Sequence, residues 1–371
     1  MKLIIEGYQY QEADVKHILQ GFEPYTKNGK TKIDHVGYLF SKEIGDCIFF
    51  LPKVLMNEKN EILFHEDLTP EKILDLDVAL QKEWVKKDDY EFLSQFSVWI
   101  FRAIREFYRL NPDSEILLSK SFSLLNSSED EKDATLLDII LSLIRFNNEN
   151  QDFFMFTIKN IHSGYNKINW NKTISHSAAV MQRKTPIYLD PGNKKKQINF
   201  DEELLVIFFS ILAHVNGKYG FRTPINYNYE LINDAMFENY LAGYGLIRLR
   251  QIKYKYFSDK ALQLWNLCHT FFEAAEKINS LAQDCDYLIA RNFNIVFESI
   301  IDELIGDDKT KIDASLKDQP DGKIVDHIFR YSSLINESDM YYIGDSKYYK
   351  IGGSLGGNSI YKQYTYAKNI I

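Results

Sequence analysis

The C-terminal segment, residues 286–371, combines helix and strand patterns in an order that constrains its fold more than any other part of the chain. Its hydrophobic periodicity predicts a helix over 289–305, strands over 323–331 and 340–349, and a final helix over 359–371. An Asp/Lys-rich loop follows the first helix, and a glycine-rich loop precedes the last. This helix–strand–strand–helix succession is typical of a small α/β domain.

Three charged side chains interrupt the two predicted strands. Asp326 lies inside an apolar run, and Asp345 and Lys347 lie two residues apart near the end of the second strand. Because strand side chains alternate between faces, Asp345 and Lys347 are expected on one face. If Asp326 faces the same way from a neighbouring strand, two carboxylates and an ammonium converge. The alternative is that both aspartates form ordinary salt bridges and Lys347 is solvated.

A convergent cluster of this composition favours phosphodiester hydrolysis. Neighbouring carboxylates are costly without a cation, and Mg²⁺ prefers oxygen ligands. The metal would polarise the phosphate and activate water, while Lys347 would orient the nucleophile or offset the developing charge. Asp326 strengthens this interpretation, because its strand is too apolar for a charge without a role.

Two polar residues on the flanking helices suit such a site. Glu298 lies at the edge of an apolar helical stripe, from which its carboxylate can reach into a cleft while the helix stays packed. The residues of that stripe are Phe293, Val296, Phe297, Ile300, Ile301 and Leu304. Gln363 offers an amide that can orient water or phosphate, although alone it indicates little. For Glu298, an ordinary boundary position paired with a lysine remains the alternative.

These residues resemble a known family. The candidate residues, taken in chain order, resemble the PD-(D/E)xK nuclease core. They are Glu298, Asp326, Asp345-Ser346-Lys347 and Gln363. The runs Tyr342–Tyr349 and Tyr361–Lys368 are similar to those of the LlaJI-type restriction endonucleases, which are related to McrC. Weaker McrC-like matches are Gly37-Tyr38, Phe50–Val54, Trp170–Ile174 and Pro186–Tyr188.

The resemblance implies a restriction nuclease that acts on double-stranded DNA with Mg²⁺ as cofactor. Asp326 and Asp345 would bind the metal, Lys347 would be catalytic, and Glu298 would support the site. It also implies a partner, because McrC-like subunits bind a hexameric AAA+ GTPase of the McrB kind through their N-terminal part and stimulate its hydrolysis. The chain has no G-x-x-x-x-G-K-[ST] phosphate loop, so motor activity is expected from another subunit.

Three departures from the family pattern bear on the assignment. Pro320-Asp321 matches the motif's name, but with Gly322 it is typical of a turn, so Asp326 inside the strand is preferred. Gln363 and Tyr366 do not have the spacing of the RecB-like variant, so that subgroup's role is not transferred. The family core continues with another strand beyond the last helix, so an end at Ile371 predicts a truncated sequence or an incomplete core.

The rest of the chain divides into two regions of different pattern. Residues 1–68 are predicted to be β-rich and to bind the partner, with a hairpin of Val36–Phe40 and Cys47–Lys53. Residues 69–285 are predicted to be mostly helical, with Thr69 as the first N-cap. Further helices are predicted over 90–109, 134–146, 201–216 and 258–284. With 286–371 as the nuclease core, the chain is predicted to be an α+β protein.

The formal net charge of −8 argues mildly against tight DNA binding by the chain alone, because affinity for DNA comes largely from neutralised phosphates. Two ways of binding DNA remain compatible with this charge: a local basic groove on the chain, or a partner subunit that holds the DNA. Leu246–Phe257 is a candidate for DNA binding, because it interleaves basic with aromatic residues and suits a strand or arm along a phosphate backbone. Its basic residues are Arg248, Arg250, Lys253 and Lys255. The alternative is a solvated amphipathic edge.

The sequence predicts a cytoplasmic protein without a membrane span, because it contains no long apolar run and no signal-peptide pattern. Its three cysteines are far apart, which suits a reducing compartment. Three functions are compatible with these patterns. The first is a nuclease that works with a nucleotide-driven translocase, and the second is a non-catalytic adaptor that stimulates the AAA+ ring. The third is a nuclease-fold protein of DNA repair or transposition.

Overall fold

The protein is mixed helix and sheet in the computed structural model, which confirms the predicted α+β class. The residues that the structure describes are 1–19, 25–41, 43–63, 68–120, 134–154, 157–161, 168–197, 202–280, 285–305, 312–318, 324–330, 341–352, 361, 365 and 366. Within them, no helix is long and apolar enough to cross a membrane.

The regular elements are as follows. The strands are β1 (Lys2–Ile5), β2 (Gln9–Gln11), β3 (Tyr25–Lys27), β4 (Lys30–Lys32), β5 (Val36–Ser41), β6 (Asp46–Leu51), β7 (Leu117–Lys120), β8 (Thr157–Ile161), β9 (Ala179–Gln182), β10 (Thr185–Tyr188), β11 (Asn193–Gln197), β12 (Cys285–Ala290), β13 (His327–Arg330) and β14 (Tyr341–Gly344). The helices are α1 (Glu12–Val15), α2 (Leu76–Gln81), α3 (Lys87–Leu110), α4 (Leu136–Glu149), α5 (Trp170–His176), α6 (Glu203–Tyr219), α7 (Asp234–Asn239), α8 (Gly245–Ile252), α9 (Asp259–Ser280), α10 (Phe293–Ile305) and α11 (Ala314–Lys317).

The chain forms two compact units. Unit 1 contains Met1–Ser123 and Leu281–Ile371, and unit 2 contains Leu124–Ser280. These boundaries differ from the predicted ones after residues 68 and 285, because strands from both ends of the chain share one sheet in unit 1. The three-part division by function stays a prediction.

A five-stranded sheet in the order β1-β6-β5-β12-β7 is the centre of unit 1. β1 is parallel to β6 and the other pairs are antiparallel, and the predicted β5–β6 hairpin is confirmed. Gly37 pairs with Ile289 at a φ of +148°, and a Cβ there would lie 2.3 Å from the carbonyl oxygen of Leu288. Only glycine allows this close approach of two strands.

The strands of this sheet are buried because helices and loops cover it. Every residue of β5 is buried, and so are Leu3, Ile4 and Ile5 of β1. α3 packs against β5, β6 and β12, with the Phe101 ring 5.4 Å from the ring of Tyr38. The predicted helix over 90–109 is therefore confirmed, with bounds Lys87–Leu110.

The C-terminal part of unit 1 contains shorter elements than the pattern predicts. The helix expected over 289–305 begins at Phe293, because Cys285–Ala290 form β12 in the central sheet. Within the described parts of the strands expected over 323–331 and 340–349, β13 begins at His327 and β14 ends at Gly344, and the two pair antiparallel with each other. Within α10, Phe293 and Val296 are buried, but Leu304 is 73% exposed and does not extend the predicted stripe.

Unit 2 is mainly helical. α9 packs against α4, α6 and α8, and the predicted helices over 134–146, 201–216 and 258–284 are confirmed as α4, α6 and α9. The start of α4 is fixed by a capping box between Thr135 and Asp138. Two antiparallel ladders, β8–β11 and β9–β10, were not expected in this region. In unit 1, the helix that the sequence predicts from Thr69 is α2, which begins at Leu76 with Asp75 as N-cap, because the Asp75 carboxylate accepts from the backbone N–H of Val78 at 3.1 Å.

Candidate functional site

The β13–β14 ladder determines which side chains meet at its end. His327 lies opposite Gly344 and Arg330 lies opposite Tyr341. Asp326 immediately precedes β13 and Asp345 immediately follows β14, so the two aspartates flank the last pair of the ladder.

The Asp326 carboxylate contacts the peptide that follows Asp345. Its Oδ2 accepts a hydrogen bond from the backbone N–H of Ser346 at 3.1 Å. This bond joins the start of β13 to the segment after β14. The two aspartates are therefore neighbours in the structure.

Asp345 and Lys347 form an ion pair. The Lys347 Nζ lies 2.5 Å from Oδ2 of Asp345, and their side chains are 24% and 8% exposed. β14 ends at Gly344, so the strand alternation expected for this pair does not apply, and irregular backbone brings the two together. A carboxylate this buried needs a compensating cation, and Lys347 supplies it.

A cleft of about 390 Å³ lies beside Lys347. Its lining brings Glu298 of α10 to the same cleft as Ser346 and Lys347, although Asp326 and Asp345 are not among the lining residues. The full lining is Glu6, Asp34, Lys53, Arg291, Asn292, Phe293, Asn294, Glu298, Ser346, Lys347, Tyr348 and Tyr349. Gln363, the remaining predicted site residue, lies outside the described residues.

A chain of polar contacts supports Ser346 from a second side. The Ser346 hydroxyl contacts Nε2 of His327, whose Nδ1 lies 3.3 Å from Oδ1 of Asp302. The Lys317 ammonium donates to Oδ2 of Asp302 at 3.1 Å. Burial acts to raise the pKa of Asp302, but the hydrogen bonds from Lys317 and His327 outweigh it and hold that pKa below its ordinary value.

This polar chain was missed in the sequence. The sequence contains one signal for it, which is the polar His327 directly after Asp326 in an otherwise apolar run. Because neighbouring strand residues face opposite sides, a histidine at this position is expected to have polar contacts of its own. An apolar cluster of Val325, Ile328 and Tyr366 packs around the same strand, with Ile312, Leu316 and Ile343 against it. His327 itself is 1% exposed.

Tyr348 connects the candidate site to the N-terminal strands. Its hydroxyl donates to the carboxylate of Glu6 and accepts from the backbone N–H of Lys53 at 3.2 Å. The Tyr348 ring lies 5.5 Å from the ring of Phe293 and 5.4 Å from that of Phe297. Burial raises the pKa of Tyr348, and the nearby Glu6 carboxylate raises it further. Sequence reasoning missed this contact, because nothing local in the sequence indicates it.

The carboxylates of the candidate site are suitable ligands for a hard divalent cation, but they do not form a complete ligand set. Asp326 and Asp345 offer carboxylate oxygens at the end of one ladder, and Mg²⁺ is commonly held by one or two carboxylates with water completing its shell. The Lys347 ammonium compensates the negative charge of the Asp345 carboxylate. Among the described residues, no group of three or more carboxylate, histidine or cysteine side chains is placed to hold a metal.

The predicted DNA-binding segment of unit 2 is helical and not a strand or arm. Arg248 and Arg250 lie on α8, and Lys253 and Lys255 lie in the 3₁₀ turn that follows. Arg248 forms a two-point ion pair with Glu203, and Lys255 lies 3.6 Å from the same carboxylate. The Lys253 ammonium lies 4.1 Å from the centre of the Trp265 ring. Arg250 is exposed, so the four cations differ in what already neutralises them.

Comparisons with known proteins identify a family. The model of the LlaJI restriction endonuclease family matches residues 78–371. None of the curated proteins matches the sequence. One similar solved structure is the cryo-EM structure of the Thermococcus gammatolerans McrBC complex, with 11% identity over 82% of this chain and 86% of that chain. Its TM-score is 0.22, which is too low to equate the two folds. The family match spans most of the chain, and the protein therefore belongs to the LlaJI restriction endonuclease family.

Proposed function

We propose that the chain is the DNA-cleaving subunit of a restriction system and hydrolyses phosphodiesters of double-stranded DNA with Mg²⁺. The observation that carries this proposal is the junction of Asp326, Asp345 and Lys347 at the end of the β13–β14 ladder. The family match supports nuclease activity, and the ladder supports a PD-(D/E)xK core for it.

Each residue has a chemical role in this proposal. Asp326 and Asp345 hold the cation, and Lys347 orients the attacking water or offsets charge on the phosphate. Bound Mg²⁺ supplies Lewis acidity at the phosphate and a more acidic water. Glu298 supports the site from the cleft, and Gln363 orients water or phosphate through its amide.

The DNA contacts extend to unit 2 in this proposal. Arg248 and Lys255 are already paired with the Glu203 carboxylate. Arg250 and Lys253 are therefore more available to bind a phosphate. The energy to move DNA comes from a partner, an McrB-like AAA+ GTPase, because this sequence contains no phosphate-binding loop of its own. The N-terminal part of the chain binds that partner.

The test is cleavage of double-stranded DNA by the chain assembled with the AAA+ GTPase, in Mg²⁺ and GTP. Lys347→Ala is expected to lower the cleavage rate about 100-fold or more, because it removes a cation that offsets transition-state charge. The matched control is Lys260→Ala, an exposed lysine of α9, and its cleavage rate is expected to equal that of wild type.

Equal cleavage by Lys347→Ala and wild type would refute the assignment of the site. A wild-type chain that stimulates GTP hydrolysis by its partner but never cuts DNA would refute the nuclease proposal. That result would establish the adaptor function instead.

A further inference from the structure

The cleft beside Lys347 collects positive side chains from three distant parts of the chain. Lys53 follows β6, Arg291 lies between β12 and α10, and Lys347 follows β14. All three line the cleft of about 390 Å³, a volume within the range of small-ligand sites. Lys347 is paired with Asp345, but Lys53 and Arg291 form no ion pair within the described part of the chain.

Within the described residues, the three acidic residues that line the cleft form no ion pair with these two cations; they are Glu6, Asp34 and Glu298. Asp34 is paired with Lys32 at 2.7 Å. Glu6 is 8% exposed, and its carboxylate accepts hydrogen bonds from the Tyr348 hydroxyl and from the backbone N–H of Lys53 at 3.3 Å. Burial raises the pKa of Glu6. The Lys53 ammonium lies 4.6 Å from the centre of the Tyr348 ring, where an aromatic face supports it without removing its charge.

Lys350 adds a positive charge near Lys53, although it does not line the cleft. Burial, followed by the charges of Lys32 and Lys53, lowers the pKa of Lys350, so these lysines act on one another electrostatically. The first turn of α10 also lines the cleft, and its backbone N–H groups add a favourable field for an anion. That turn contains no acidic residue that would offset this field. The charged lining of the cleft is balanced, with the three cations matched by the carboxylates of Glu6, Asp34 and Glu298. Within the described residues, however, Lys53 and Arg291 are the lining cations that form no ion pair, so both can accept an anionic partner.

We propose that Lys53 and Arg291 bind a backbone phosphate of the DNA strand beside the phosphate that is cut. The inference rests on the proposed nuclease function and adds an N-terminal contribution to substrate binding. Arg291 suits a phosphate because its guanidinium can donate two parallel hydrogen bonds, and Lys53 contributes a point charge. Such contacts position the duplex without reading its sequence. Asn292 and Asn294 line the same cleft and offer amide donors to the same group.

The test measures binding apart from cleavage. A fluorescently labelled random-sequence duplex of about 30 base pairs is titrated with the full chain in EDTA, and the dissociation constant is followed by anisotropy across a range of salt concentrations. A lost phosphate contact reduces the slope of log affinity against log salt by about 0.9. We expect this reduction for Lys53→Ala and for Arg291→Ala, whereas Lys53→Arg keeps the wild-type slope. The control Lys86→Ala, an exposed lysine outside the cleft, is expected to keep it as well.

The outcomes separate this inference from the proposed function. An unchanged slope in both alanine variants, in a chain that cuts DNA with its partner, overturns the phosphate site and leaves the nuclease in place. A wild-type chain with no measurable affinity at about 50 mM salt overturns the site as well. A reduced slope in a chain that never cuts keeps the phosphate site and refutes the nuclease.

Discussion

Ser346 is held from two sides by residues that are consecutive in the sequence. Its backbone N–H donates to Asp326, and its hydroxyl contacts the buried His327. The residues on either side of it, Asp345 and Lys347, are the ion pair of the candidate site. Fixing the residue between them restricts both, which supports a positioning role for the polar chain behind His327 in the proposed chemistry.

Asp302 anchors that polar chain, and its removal gives a pH-dependent prediction. Asp302→Asn is expected to lower the free energy of unfolding by about 1–2 kcal/mol near pH 7, because Lys317 and His327 lose a charged acceptor. The folded-state pKa of Asp302 is lowered, so its stabilisation is present above the unfolded pKa of about 3.9 and is lost as pH falls through the folded value. Urea unfolding at about pH 7, 5 and 3 should show the difference from wild type shrinking only at the last.

The control is Asp113→Asn, which changes an exposed aspartate outside the regular elements. It is expected to leave stability unchanged at each pH. A difference between wild type and Asp302→Asn that stays constant down to about pH 3 would show that the contacts of Asp302 do not depend on its charge.

The sequence predicts this site only where the contacts are local or follow from strand order. Lys347 and Asp345 are two residues apart, and their contact follows from proximity even though the strand ends before them. The contact of Tyr348 with Glu6 joins opposite ends of the chain, and tertiary packing alone creates it. Asp302 and Lys317 are charged residues of ordinary helical pattern, so nothing in their sequence environment distinguishes them.

At the level of elements, β12 shows why periodicity misassigns short apolar runs. Tyr287-Leu288-Ile289-Ala290 suits either a strand or the beginning of a buried helix, and length alone does not decide between them. Pairing with β5 on one side and β7 on the other fixes it as a strand. The long helices α3, α4, α6 and α9 were predictable, because their apolar stripes repeat over several turns.

Gly37 gives a prediction about that pairing. Gly37→Ala is expected to destabilise the protein by about 3 kcal/mol, because the added Cβ meets backbone atoms of Leu288 and Ile289 at 2.3 and 2.7 Å. The matched comparison is Gly217→Ala in α6, where a Cβ meets nothing within 4 Å. That change is expected to stabilise by about 0.5–1 kcal/mol, since alanine favours a helix interior. Urea unfolding checks both, and a Gly37→Ala variant as stable as wild type would contradict the close approach of β5 and β12.

At the level of the whole molecule, unit 1 is held together by contacts between its N-terminal and C-terminal segments. The backbone N–H of Ile351 donates to the carbonyl of Met56 at 3.1 Å, and the Lys350 ammonium contacts Asn60. These contacts follow directly after the candidate site. Sequence patterns predict a separate C-terminal core, because such patterns describe consecutive residues, whereas this unit is assembled from both ends.

This assembly predicts that residues 286–371 do not fold alone. Expressed as a fragment, they lose β5 and β7 as partners of β12, and Tyr348 loses Glu6 and Lys53. An edge-exposed apolar strand and an unsupported aromatic side chain leave too little buried surface for so short a segment. Circular dichroism and limited proteolysis should therefore show an unfolded fragment, and co-expression with residues 1–123 should restore protease resistance to it. A fragment that unfolds cooperatively on heating without residues 1–123 would show that the C-terminal core is an independent domain and that the contacts with Glu6 and Lys53 are dispensable for its fold.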